Sequence, residues 1–151
     1  MSEPMQPRLD PSNEHLAGAM KAMAGLESYI RQTGLDHSLS ELVKNRVSQI
    51  NSCAYCIDFH TKAARAAGEN DQRLHALSAW RDAPFFTDRE RIALEWAEEL
   101  TLITERRVSD ELYERARAEF GEAQLVALTL CVVSINGWNR IQIPFRVVPA
   151  E

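Results

Sequence analysis

The chain has 151 residues, 45% of them hydrophobic and 26% charged, a composition that supports one folded domain over residues 1–151 and excludes the weakly hydrophobic, highly charged class of disordered chains. Its 17 basic and 22 acidic residues leave a formal charge of −5, so nothing recommends nucleic acid or an anionic membrane as a partner. The first residues, Met1 to Arg8, hold no apolar run of signal-peptide length. With only three cysteines, the expected address is cytoplasmic, where a Cys-x-x-Cys pair is catalytic or metal-binding more often than a structural staple.

Residues 1–12 read as an extended, proline-containing lead-in. Leu16, Met20, Met23, Leu26 and Ile30 then recur at spacings of three and four, which predicts an amphipathic helix ending near Gly34. Ser38 to Glu41 reads as a capping box, and Leu39, Leu42, Val43, Val47 and Ile50 supply the apolar face of a second helix. The alanine-rich stretch from Cys53 to Ala67 predicts a third, closed by Gly68. A shorter helix is expected over Asp71 to Trp80, and Pro84 precedes a second capping box at Thr87 to Glu90 that opens a helix containing Ile92, Leu94, Trp96, Ala97 and Leu100.

Ser109 and the acidic pair Asp110 and Glu111 start another helix, and a last one is expected from Glu122 to Trp138. Its run from Leu125 to Ile135 is apolar on nearly every face. Eleven residues are too few to span a bilayer, so this run suits the core or an interface between subunits. The best strand candidate is the tail from Ile141 to Val148, weakened by Pro144 and Pro149. The expected fold is all-α, with about six to seven helices.

The stretch from Glu41 to His60 carries the chemistry. On a helix, Cys53, Cys56 and His60 are three and four residues apart and share a face. Residues so spaced have Cα atoms about 5 Å apart, inside the disulfide window. A thiol in the first helical turn feels the partial positive charge of unpaired N–H groups, which favours thiolate. His60 lies one turn beyond Cys56 and nearly two beyond Cys53, so the spacing nominates Cys56 as the attacking sulfur and Cys53 as the resolving one. A peroxide would convert Cys56 to a sulfenic acid, Cys53 would displace water to form the disulfide, and an external reductant would reopen it.

Glu41, eleven residues, then Cys53-x-x-Cys56-x-x-x-His60 resembles the core signature of the AhpD-like alkylhydroperoxidases, within the wider carboxymuconolactone decarboxylase family. The resemblance is sharp over residues 41–67 and looser over Thr87 to Thr101 and Asn136 to Arg140. It implies a compact helical fold, a homo-oligomer, and a thiol-dependent peroxidase needing no bound cofactor. It also implies a peroxidatic role for Cys56, a resolving role for Cys53, and a proton relay through Glu41 and His60. The implied partners are a hydroperoxide and a thiol or dithiol reductant, such as a lipoylated protein. The family's best-characterised members carry a second histidine between the cysteines, where this chain has Tyr55, so Tyr55 is expected to line the site.

Two competing readings stand beside this one. A zinc module would use Cys53, Cys56 and His60 with Glu41 or His75, but structural zinc sites draw their second ligand pair from another Cys or His cluster, which this sequence lacks. A lactone-processing or decarboxylating enzyme of the same wider family would leave the cysteine pair unused. Haem attachment requires histidine directly after the second cysteine, and Ile57 stands there. Cys131, in the apolar run, reads as a small buried hydrophobe.

Overall fold

The computed structural model describes residues 3–150, and these form helices joined by short turns. They are α1 (Glu14–Gln32), α2 (His37–Ile50), α3 (Ala54–Ala66), α4 (Asp71–Ala76) followed by a 3-10 turn at Leu77–Ala79, α5 (Asp88–Thr101) and α6 (Asp110–Gln142). No strand occurs among the described residues, and the fold is all-α.

Local chemistry places most helix starts. The side chains of Asn13, Asn70, Thr87 and Ser109 each accept a hydrogen bond from a first-turn backbone N–H, satisfying donors that have no partner within the helix. At α5 the capping box is complete: Glu90 N–H donates to Thr87 Oγ1 at 3.2 Å and Thr87 N–H donates to Glu90 Oε2 at 2.8 Å. Replacing Thr87 by alanine removes one half of it. The expected loss is about 1 kcal/mol of stability, read as a fall of roughly 2–4 °C in a thermal melt.

The start of α2 departs from the sequence reading. The helix begins at His37, with Asp36 as its N-cap and Leu39 N–H donating to Asp36 Oδ1 at 2.8 Å. Ser38 is therefore already helical, and the capping box with Glu41 does not form. Asp36 offers a carboxylate acceptor one residue before the helix, directly after the turn at Gly34 (φ 74°) and Leu35, so the helix starts there. Glu41 is left free to point elsewhere.

The two helices expected after Ser109 are segments of one element, parted by Gly121 at φ 71° and ψ 168°, a left-handed backbone that glycine reaches without steric penalty. The second segment continues past Trp138 to Gln142 and absorbs the start of the strand candidate, while residues 143–146 form a turn and 147–150 have no regular structure. The helix expected over Asp71 to Trp80 tightens from α to 3-10 at Leu77.

Helix α2 lies at the centre, packed on α3, α5 and α6, and α1 covers α6. Val43, Val47, Ala93, Ala97, Leu128, Cys131 and Ile135 are fully buried in the main core, while Leu42, Leu77, Trp80, Phe86 and Leu94 form a satellite cluster beneath the 3-10 turn. Arg46 Nε (2.9 Å), Trp80 Nε1 (2.8 Å) and Arg81 Nη1 (2.6 Å) all donate to the buried Glu98 carboxylate. By length and composition α6 alone among the described helices is apolar enough to cross a membrane, but its inward side chains form the centre of the core. Val126 and Val133, on its outer side, are 66% and 53% exposed.

Candidate active site

The site is built where α2 gives way to α3. Asn51 caps the end of α2 and donates through Nδ2 to the side-chain oxygens of Asn136 (2.9 Å) and Asn139 (2.8 Å) on α6. Ser52 takes a left-handed φ of 56°, which turns the chain, and Cys53 N–H donates to Ser48 O at 3.0 Å. Cys53 is thus the N-cap of α3, one residue outside the helix on which the sequence reading placed it. Its sulfur accepts from Cys56 N–H at 3.3 Å. The Cα atoms of Cys53 and Cys56 are 5.3 Å apart and the two cysteines are joined as a disulfide, close to the separation that i, i+3 spacing implies.

The two sulfurs differ in their surroundings. Cys56 lines a cavity of about 400 Å³, within the usual range for small-molecule sites, whereas Cys53 does not reach it and packs into the core. The cavity has an apolar wall of Met20, Ala24, Tyr55, Phe59 and Trp138, and polar groups from Glu27, Glu41, Lys44, His60 and Gln142. Tyr55 stacks near Phe59 with ring centroids 6.2 Å apart, and Phe59 meets His60 edge-on at 5.0 Å. The position of the family's second histidine is therefore part of an aromatic wall here.

His60 stands one helical turn beyond Cys56, and its Nδ1 is 2.7 Å from Glu41 Oε2, with both residues buried. Glu41 and His60, 19 residues apart in the chain, meet directly with no room for a bridging water. Asn45, one turn after Glu41, donates through Nδ2 to the backbone carbonyls of both Glu41 (3.1 Å) and His60 (2.8 Å), and its Oδ1 accepts from Thr61 Oγ1 at 3.0 Å.

Beside this pair lies a charge network that the sequence reading missed. Lys44 is 6% exposed; its ammonium donates to Glu27 Oε2 at 2.8 Å and lies 4.0 Å from Glu41 Oε1. Ser134 Oγ donates to the other oxygen of Glu27 at 2.5 Å. Burial opposes the charge on Lys44, but the negative charge available on Cys131, Glu27 and Glu41 outweighs it and raises the ammonium above its ordinary value. Burial likewise works against ionised Glu27, and Lys44, Ser134 and His60 overcome it and hold the carboxyl low. Burial pushes the Cys131 thiol up, so near neutral pH it is an uncharged group beside Ser40 Oγ at 3.4 Å. The carboxyl groups that face Lys44 are those of Glu27 and Glu41. Lys44 and Asn45 follow Glu41 by three and four residues, and that spacing was the available signal.

Gln142 also reaches the cavity from the end of α6. It is 4% exposed and its Oε1 has no hydrogen-bond partner among the described residues, which leaves an acceptor to be met by whatever enters. No group of three or more His, Cys, Asp or Glu among the described residues is arranged to hold a metal. His75, weighed above as a fourth ligand, is exposed on α4 while Glu41 is buried.

Comparison with known proteins gives this geometry its context. The carboxymuconolactone decarboxylase family matches residues 17–99. The uncharacterised protein YdfG of Bacillus subtilis (strain 168) is 48% identical over 124 residues, covering 82% of this chain and 84% of its own. A crystal structure from Agrobacterium tumefaciens, of a protein of unknown function named as a candidate antioxidant defence protein AhpD, superposes with a TM-score of 0.91 at 36% identity over 97% of this chain and 99% of that one. The debrominase Bmp8, in complex with 2,3,4-tribromopyrrole, shares the fold at a TM-score of 0.74 and 16% identity, over 99% of this chain and 93% of its own. The chain belongs to the carboxymuconolactone decarboxylase family and has the AhpD-like all-α fold.

Proposed function

We propose that this protein is a thiol-dependent peroxidase that reduces hydroperoxides through Cys56 and Cys53. One observation carries the reading: of two cysteines close enough to be joined, only Cys56 opens onto the cavity, and it shares that cavity with the His60 and Glu41 pair.

The cycle starts from the reduced pair. An ionised Glu41 is acceptor-only, so His60 Nδ1–H donates to it and Nε2 is left as the basic nitrogen. His60 takes the Cys56 proton, and the N-terminus of α3 favours the thiolate. The thiolate attacks the terminal peroxide oxygen; the S–O bond forms, the O–O bond breaks, and the alkoxide leaves as alcohol with the proton from His60. Cys53 then attacks the Cys56 sulfenic acid, the S–S bond forms, and water departs with the Cys53 proton. A thiol or dithiol returns two electrons and two protons by exchange through a mixed disulfide, and a lipoylated protein is the donor we propose. The apolar wall suits an organic hydroperoxide. Assembly into a homo-oligomer belongs to the same proposal, and the exposed Tyr29, Val126 and Val133 supply apolar surface for it.

Reduced protein treated with one equivalent of an organic hydroperoxide is expected to lose the mass of two protons, with the new bond mapped to Cys53 and Cys56 and one alcohol released per chain. Thiols that stay reduced while the peroxide persists would refute the reading.

A further inference from the structure

The Glu41 and His60 pair works as described only with Glu41 as a carboxylate, the acceptor for His60 Nδ1–H. A protonated Glu41 would instead donate to His60 Nδ1, shift the imidazole proton to Nε2 and remove the base. The structure supplies a counter-charge. Lys44 Nζ lies 4.0 Å from the Glu41 oxygen that does not face His60. The ammonium also donates to Glu27 from α1, which accepts in turn from Ser134 of α6, so the Glu27 charge offsets part of the field that Lys44 exerts on Glu41.

We propose that Lys44 is a positioning residue of the thiol site, its charge fixing Glu41 as an anion and thereby His60 in the Nδ1–H tautomer, with the Glu27 charge opposing it. The proposal rests on the reading of His60 as the base for Cys56. The charged and titratable groups around Lys44 are Glu27 and Arg31 from α1, Glu41 from α2, His60 from α3 and Cys131 from α6. Glu27 and Lys44 have opposite signs, so removing each must move the site in opposite directions. A merely structural ion pair predicts destabilisation by either change and no such opposition.

The test measures the pH midpoint of Cys56 alkylation by iodoacetamide, read by mass, in a Cys53→Ser background. The nitrogen chemical shifts of His60 report its tautomer in parallel. Lys44→Gln is expected to raise the midpoint by about one pH unit and to populate the Nε2–H tautomer. Lys44→Arg keeps the charge and is expected to stay within about 0.3 unit of the parent. Glu27→Gln is expected to lower the midpoint by about half a unit or more. A folded Lys44→Gln variant with unchanged midpoint and tautomer overturns the proposal. Should Lys44→Gln fail to fold, Glu27→Gln decides, and an unmoved or raised midpoint overturns it. Alkylation needs no peroxide, so a protein that shows these shifts but consumes no hydroperoxide would refute the peroxidase reading and keep the role of Lys44.

Discussion

Cys56→Ser is expected to abolish hydroperoxide reduction, a loss of at least about a thousandfold, since a serine hydroxyl has neither the acidity nor the sulfur nucleophilicity to attack an O–O bond. Cys53→Ser should behave differently. Its Cys56 still faces the cavity and the His60 and Glu41 pair, so the first attack proceeds and one alcohol is released per chain. The sulfenic acid then has no resolving thiol and accumulates, trappable by a dimedone-type reagent. Stopped-flow consumption of peroxide and intact mass separate the two outcomes. Equal loss of the first step in both variants would contradict the assignment, because the difference in cavity access between Cys53 and Cys56 is its basis.

The largest effect on stability is expected at Glu98, which is 2% exposed and accepts from Trp80, Arg46 and Arg81. Glu98→Ala leaves the Trp80 N–H and a largely buried Arg46 without their acceptor. Breaking one side of such a cluster is expected to cost about 3 kcal/mol, or roughly 6–12 °C in the melting temperature of a chain this size. Burial pushes the Glu98 carboxyl up, but the hydrogen bonds from Trp80, Arg81 and Arg46 outweigh it and hold the group below its ordinary value. A carboxyl depressed on folding contributes stability that is present above its unfolded pKa, about 4.3, and lost as pH falls through the folded value. The gap between parent and Glu98→Gln in urea denaturation should therefore be full at pH 7 and narrow below about pH 4. A gap independent of pH would mean that packing, and not the charge, sets the cost.

These two sites also mark how far the sequence can be read. The capping box at Thr87 and Glu90 and the helical spacing of Cys56 and His60 depend on neighbours within one turn, and local pattern is enough to find them. Ser38 reads as the cap of α2, but Asp36, an equally good capping residue two positions earlier, takes that place in the structure. Cys53 was placed on a helix because periodicity does not show that Ser52 turns the backbone. The long-range part is less accessible still. Lys44 meets a carboxylate 17 residues away in the chain, which in turn takes a hydroxyl 107 residues further on, and nothing in the local pattern of α1 or α6 announces either contact. Gln142 looked like part of a weak strand, and only the continuation of α6 brings it to the cavity. Glu98 has no local signal on α5, because the Trp80, Arg81 and Arg46 donors that meet its carboxylate lie 17 to 52 residues away in the chain.

The bonds of Asn45 act like the jaws of a calliper, because the two carbonyls it grips belong to the residues whose side chains face each other, Glu41 and His60. The gap between acid and imidazole is therefore gauged by main chain to main chain, without contact from Asn45 to the aromatic wall of the cavity. Tyr55, Phe59, Trp138 and Gln142 can be exchanged to admit a different guest while that gauge stays set. On the proposed peroxidase reading, such a scaffold would separate the pair that moves protons from the wall that meets the substrate, so that changes at the wall alone would retune one frame to a new substrate.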